Sequence, residues 1–271
     1  MKKMKVKVKI PSIEEESWNI VWKWSWFTRE LWESEYWNET RKGLKPLFSL
    51  LTLLKVKSVL DCSCGLGFKT VLIAEKGYEV EGSDGSAIAV RYAPQLAKER
   101  GVNIRFFHSR WEELGLKCGR TYDCVFSDYF DEIETYETLK ASAAGIYSVL
   151  NYDGKFIFGS LNPELTTRSG LKNLIEREWE NRERFVILPP YEKDGMRVTS
   201  IEVAEKTAEG ILEKRIYLIE KQGIMRAEIA FIMNPRIKWT FQDYVKILKE
   251  VGFKKVECIG KGGDIFNIAT K

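Results

Sequence analysis

Val59-Leu60-Asp61-Cys62-Ser63-Cys64-Gly65-Leu66-Gly67 decides how this chain folds. Residues 56–60 read as a buried strand, which ends in an acid and passes at once into a turn of small residues. Gly65 and Gly67 carry no Cβ, so the backbone there can approach a ligand closely. A helix is expected from Phe68 to about Lys76. Strand, small-residue turn and helix make the first crossover of a nucleotide-binding α/β sheet, with the ligand at the carboxyl end of the strand.

The spacing separates the nucleotide classes. A dinucleotide fingerprint needs a third glycine where Thr70 stands, and the phosphate-cradling G-x-x-x-x-G-K-[ST] pattern also fails. What remains is an acid, a spacer, two small residues and Gly-x-Gly. This resembles the first motif of class I S-adenosylmethionine-dependent methyltransferases. Asp61, Ser63, Cys64, Gly65 and Gly67 fill it, with Ser63 replacing the usual glycine or alanine. A second strand over residues 78–83 leads into Asp84, whose carboxylate can accept two hydrogen bonds from a ribose diol. Gly85 and Ser86 then open a helix over residues 87–100, with Ser86 as its N-cap. S-adenosylmethionine is thus the expected cofactor. A nicotinamide enzyme and a glycine turn without a ligand are the alternatives left standing.

Strands expected at residues 103–108, 122–127 and 155–160 alternate with helices, including one over 133–150, which implies a mostly parallel sheet. Residues 151–154, Asn-Tyr-Asp-Gly, read as a turn. The pattern changes after residue 163. A helix over 171–180 precedes four alternating segments, 184–188, 197–205, 212–221 and 224–232, which read as an antiparallel meander. A helix starting at Thr240 and a hairpin at 254–259 and 266–270 complete the layout. The expected architecture is therefore α/β: a Rossmann-like seven-stranded methyltransferase sheet with an antiparallel β insertion after the fifth strand and an aromatic N-terminal helical lid. The expected divisions are 1–40 (tail and lid), 41–162 (cofactor core), 163–235 (substrate-side insertion) and 236–271 (end of the core sheet).

The 271 residues suffice for one α/β domain with an insertion, and 44% of them are hydrophobic, enough for a substantial core. The net charge of +4 comes partly from the lysines of residues 1–9, read as an edge strand or frayed end that is weak support for nucleic acid binding. Five cysteines, an odd number without a C-x-x-C pair, are expected to be reduced in a cytoplasmic protein. With a single histidine, no metal site is expected. No apolar run is long enough to span a membrane. A homo-oligomer is compatible with the sequence.

With this layout the chain resembles the glycine N-methyltransferase group of small-molecule N-methyltransferases. Trp111 sits where that group packs a tryptophan near the adenine, Arg110 replaces its asparagine neighbour, and Arg41 lies near its arginine for the cofactor carboxylate. The resemblance implies a cofactor set of Trp37, Arg41, Asp61, Ser63, Cys64, Gly65, Gly67, Asp84, Gly85, Ser86, Arg110, Trp111 and Ser127. The arginine that grips glycine's carboxylate just after the fifth strand is missing from residues 159–163, so a different acceptor is expected. Asp128, Asp131 and Glu132, after the fourth strand, are candidate acceptor-side acids; for Asp131 and Glu132, capping of the next helix is the structural alternative. His108 is a further candidate base, with a role beside the adenine pocket as its alternative. Trp24, Tyr36, Tyr129 and Asn162 are expected to line the acceptor.

Six tryptophans crowd residues 18–37. Trp18, Trp22, Trp26 and Trp32 fit a packing stripe, while Tyr36 and Trp37 suit a cap over a cationic guest. Leu188-Pro-Pro-Tyr191 begins with leucine and lies beyond the fifth strand, so it reads as a turn, not an adenine-amine motif. The expected function is methyl transfer to a small-molecule acceptor, at an amine nitrogen. An RNA or protein methyltransferase on the same core, and a non-catalytic cofactor-binding protein, are the rivals.

Overall fold

The computed structural model describes residues 7–10, 14–159, 166–235, 238–260 and 265–271. The chain divides into two compact units: residues 36–173 with 237–271, and residues 1–35 with 174–236.

The first unit is built on a seven-stranded sheet. Its strands, numbered along the chain, are β1 (Ser58–Asp61), β2 (Glu79–Asp84), β3 (Phe106–His108), β4 (Tyr122–Ser127), β5 (Leu150–Phe158), β6 (Lys255–Ile259) and β7 (Phe266–Thr270), in the order β6-β7-β5-β4-β1-β2-β3. β1 to β5 pair in parallel, and β7 runs antiparallel to both β5 and β6. The central strands are apolar on both faces because helices cover both; β1 is buried throughout. One face packs Leu114, Leu139, Ile146, Phe156 and Tyr244, and the other packs Leu47, Leu51, Val71, Ile73 and Ile104.

The chain winds outward from β1 through β2 and β3, then crosses back to β4 on the other side of β1. The β1/β4 junction is therefore the point where strand order reverses, and sheets of this kind bind ligands beyond the carboxyl ends at such a point. Asp61, Asp84, His108 and Ser127 end their strands on that edge.

The second unit is a six-stranded sheet. Gly210–Lys221 pairs antiparallel with Met196–Lys206 and with Ile224–Pro235. Lys7–Lys9 adds in parallel to Ile224–Pro235, so the basic tail is a strand over these residues. The expected divisions separate residues 1–40 from 163–235, whereas the structure groups 1–35 with 174–236. The physical reason is helix Glu14–Phe27, whose buried residues Ser17, Ile20, Val21 and Trp24 recur at helical spacing. Ile20, Val21 and Trp24 pack on Val198, Tyr217, Ile219, Ala230 and Ile232.

Local readings shift in three places. Residues 41–54, expected as one helix, are the end of helix Glu33–Gly43 and then helix Lys45–Leu53, which has Pro46 in its first turn. The Asn-Tyr-Asp-Gly turn is instead an irregularity inside β5: Asp153 adopts φ 59° and the register with β4 shifts between Tyr122 and Cys124. The helix after β4 starts later than expected, at Tyr136, because Thr135 caps it. Leu188-Pro-Pro-Tyr191 joins two short strands, Phe185–Ile187 and Tyr191–Lys193, that both pair with Met196–Lys206.

Candidate active site

The glycine turn is fixed by its neighbours on the sheet. Cys62 N–H donates to the Phe126 carbonyl at 3.0 Å, and Cys64 N–H donates to the Ser83 carbonyl at 3.0 Å. Gly65 and Gly67 take φ of 52° and 90°, which a side chain would strain. At Gly67 a Cβ would also press on Phe106 at 3.1 Å. Helix Phe68–Glu75 starts directly from Gly67. Cys64 is buried and its thiol is pushed well above the ordinary range, so its contribution is packing.

Asp61 works from behind this turn. It is 1% exposed. Thr70 Oγ1 donates to one of its carboxylate oxygens at 2.7 Å, and Ser63 N–H approaches the other at 3.4 Å. Thr70 is the residue that broke the dinucleotide pattern, and its hydroxyl is what anchors the acid. Burial pushes the Asp61 carboxyl up to about 6, against the pull of Thr70, Lys69 and Ser63 and with a push from Asp84. A carboxyl raised on folding stabilises the folded state most below its unfolded pKa and loses that contribution as pH rises through the folded value. Asp61→Asn should therefore gain on the wild type by ~1–3 kcal/mol between pH 4 and pH 7.5. Denaturant melts across that range would read it, and parallel stability curves for the two proteins would contradict it.

Asp84 presents at the next strand tip. Its two oxygens accept Gly65 N–H and Ser86 N–H, each at 2.8 Å, which ties the glycine turn to β2. Burial raises its pKa, while the two N–H groups and nearby His108 act the other way. Each oxygen keeps a lone pair for a hydroxyl donor. A Cβ built on Gly85 would meet nothing within 4 Å, so open space lies beside this carboxylate. Ser86 accepts from Ala89 N–H as the helix N-cap. His108 Nε2 donates to the Gly85 carbonyl at 2.9 Å, a bond that holds the turn. Trp111 Nε1 donates to the Cys62 carbonyl at 2.7 Å and so latches the far side of the motif. Arg110 is exposed at the start of the short 3-10 turn Trp111–Glu113.

β4 meets the motif at the switch point. Ser127 Oγ donates to Ser63 Oγ at 3.2 Å, and Asp128 N–H approaches the same oxygen at 3.4 Å. Asp128 forms an ion pair with Lys69, on the first turn of helix Phe68–Glu75. Asp131 and Glu132 lie in the 3-10 turn Phe130–Glu132 and do not cap the following helix. The Asp131 carboxyl lies against the end of β5: a Cβ on Gly159 would sit 3.4 Å from its carboxyl carbon. Burial pushes this carboxyl up to about 6 as well. Tyr244 Oη donates to the Asp131 main-chain carbonyl at 3.3 Å, which fixes the turn from below. Tyr129 is 47% exposed beside it. Asn162 lies outside the described residues.

The aromatic expectations divide. Tyr36 and Trp37 gather over Phe68 at centroid distances of 4.9 and 4.5 Å, next to the glycine turn. The Asp61 charge contributes to raising the Tyr36 pKa, after burial, so its hydroxyl and that carboxylate share one field. The Arg100 guanidinium lies 4.9 Å from the Trp37 ring centroid. Trp24, expected beside the acceptor, is instead 1% exposed in the six-stranded unit, where its indole donates to Glu228 at 2.8 Å. Helical spacing puts Trp24 on the same stripe as Ile20 and Val21, and that periodicity is the signal that places it. Arg41 is exposed on helix Glu33–Gly43. Thr70 and Lys69 were missed by the sequence reading; each sits on the first turn of the helix that follows the motif.

These residues suit an adenosyl sulfonium. Two buried or half-buried acids on adjacent strand tips favour a ligand that brings positive charge and hydroxyl donors. Open space at Gly85 adjoins the carboxylate with spare lone pairs.

Comparison with known proteins agrees. The methyltransferase domain family matches residues 59–154. A glycine/sarcosine N-methyltransferase of Aphanothece halophytica is 28% identical over 148 residues, 51% of this chain and 56% of the relative. The chain spans between 40% and 56% of the first curated relatives' own length. An S-adenosylmethionine-dependent methyltransferase of Clostridium acetobutylicum shares the fold with a TM-score of 0.59 at 14% identity, over 85% of this chain and 91% of that one. A sugar N-methyltransferase from Streptoalloteichus shares it with a TM-score of 0.56 at 14% identity, over 96% and 87%. Residues 59–154 thus match the methyltransferase domain family, and the glycine motif and the sheet order agree with that match.

Proposed function

We propose that this protein transfers the methyl group of S-adenosylmethionine to a small-molecule amine. The observation that carries the reading is the Asp61–Asp84 pair around a glycine turn at the β1/β4 switch point. Asp84 would accept the ribose hydroxyls, Trp111 would bound the adenine side, and Ser63, Gly65 and Gly67 would let the amino-acid end approach the backbone. The cofactor, when bound, supplies an activated methyl on a good leaving group. The chain's own residues then have to align the acceptor, exclude water and take up a proton; effective molarity of a well-aligned pair can supply ~7–11 kcal/mol.

An amine arrives mostly as an ammonium at neutral pH. The acids that follow β4, Asp128 and Asp131, suit that charge. Asp131 is the stronger candidate, because its carboxyl at about 6 is ionised at neutral pH yet basic enough to accept a proton. Curated relatives named as glycine/sarcosine N-methyltransferases support a nitrogen acceptor. The absence of arginine from residues 159–163 argues against a simple amino-acid carboxylate as the handle. Five free cysteines suit a reducing, cytoplasmic compartment.

Incubation with methyl-labelled cofactor and a cell metabolite extract tests this. The label should enter a small amine and be retained on its nitrogen. Label in RNA or protein would move the chain to another acceptor class. Cofactor binding without transfer to any fraction would make it a non-catalytic binding protein.

A further inference from the structure

Lys69 is a cation beside the motif, and nothing in the roles above uses it. It sits one residue into helix Phe68–Glu75 and pairs with Asp128, which immediately follows β4. It is also close enough to Asp61 for the two charges to favour each other's ionised form. The lysine therefore stands between the acid of β1 and the acid after β4, at the switch point. Its side chain is 33% exposed and that of Asp128 is 31%, so the pair is open to solvent in part.

We infer that Lys69 is an exchangeable counter-ion: on cofactor binding its ammonium leaves Asp128 and takes the carboxylate of the cofactor's amino-acid end. The inference rests on the cofactor reading above. Asp61, Asp84 and Asp128 make the neighbourhood strongly acidic, so an incoming carboxylate needs a cation. Arg41, expected to serve, is exposed on helix Glu33–Gly43. Lys69 is already in place. An ion pair with about a third of each side chain exposed contributes little on its own. Replacing one carboxylate by another on the same ammonium is therefore cheap. Lysine suits the exchange because its charge is a point on a flexible stem with three rotatable donors, not a planar fork fixed on one partner. The exchange leaves the Asp128 carboxylate without its counter-ion at the end of β4. A cationic acceptor would then meet an unneutralised acid only after the cofactor has bound.

Calorimetry with two probes tests this without relying on turnover. S-adenosylhomocysteine carries the carboxylate; S-adenosyl-3-thiopropylamine keeps the amine and lacks the carboxylate. The wild type should prefer the first. Lys69→Gln should lower affinity for S-adenosylhomocysteine by ~10–100-fold and leave the decarboxylated probe within about twofold. Lys69→Arg should restore part of the discrimination, and Asp128→Asn should tighten S-adenosylhomocysteine by ~2–5-fold because the competing carboxylate is gone. Equal loss for both probes in Lys69→Gln, or no loss, would overturn the inference while the cofactor reading stood. A wild-type chain that bound neither probe would bring down the cofactor reading itself, and the inference with it. Matched melting temperatures across the variants keep a folding defect from imitating either result.

Discussion

Asp84→Ala should bind S-adenosylhomocysteine ~100–1,000-fold more weakly than the wild type. Two effects add. The ribose diol loses a charged acceptor, and hydrogen bonds to charged groups are worth ~1.5–3 kcal/mol each. The glycine turn also loses its tie to β2, because Gly65 N–H and Ser86 N–H both donate to this carboxylate at 2.8 Å. Asp84→Asn separates the two. Its amide oxygen can keep one backbone donor but offers no charge, so binding should fall by ~10–100-fold with a smaller change in melting temperature. The measurement is titration calorimetry beside a thermal melt of the apo-protein. Unchanged affinity in Asp84→Ala would remove the ribose assignment.

Gly145→Ala should destabilise the fold by ~3 kcal/mol or more, although alanine is the better helix former by ~1 kcal/mol. Gly145 is buried in helix Tyr136–Ser148. A Cβ there would lie 2.0 Å from the Trp111 carbonyl oxygen and 3.0 Å from Glu112 Cα. Both obstacles are backbone, so no side-chain rotation relieves the clash. The same 3-10 turn carries the indole that donates to the Cys62 carbonyl. Displacing it unlatches the motif, and cofactor affinity should fall along with stability. For a chain of this size the melting temperature should drop by ~6–12 °C. Gly43 is the control, since a Cβ there meets nothing within 4 Å and its φ is not positive. Gly43→Ala should be neutral or stabilising by up to ~1 kcal/mol. If Gly145→Ala melted like Gly43→Ala, the close approach of helix and turn would be wrong.

Nothing in the sequence separates these two glycines. Each stands among helix-forming residues, and only the tertiary contact distinguishes them. The glycine turn was legible for the opposite reason. Strand, acid, small residues and Gly-x-Gly are consecutive, so their geometry is encoded locally. Asp84 was legible because a second strand ending in an acid repeats the local pattern. Thr70 and Lys69 were not, since their partners Asp61 and Asp128 are nine and fifty-nine residues away in sequence and meet them only after the sheet forms. Trp24 shows how a composition signal misleads. A cluster of tryptophans draws attention to guests, yet the helical spacing of Ser17, Ile20, Val21 and Trp24 makes this ring a core residue. His108 is similar: as the only histidine it invites a catalytic role, and its ring is engaged by the Gly85 carbonyl.

Soaking or co-crystallising the protein with S-adenosylhomocysteine tests the central claim most directly. The account predicts both ribose hydroxyls within hydrogen-bond reach of the Asp84 carboxylate, ~2.5–3.0 Å, with the amino-acid end at the Ser63–Gly67 turn. Ligand density away from the carboxyl ends of β1 and β2, or none under saturating conditions, would contradict it.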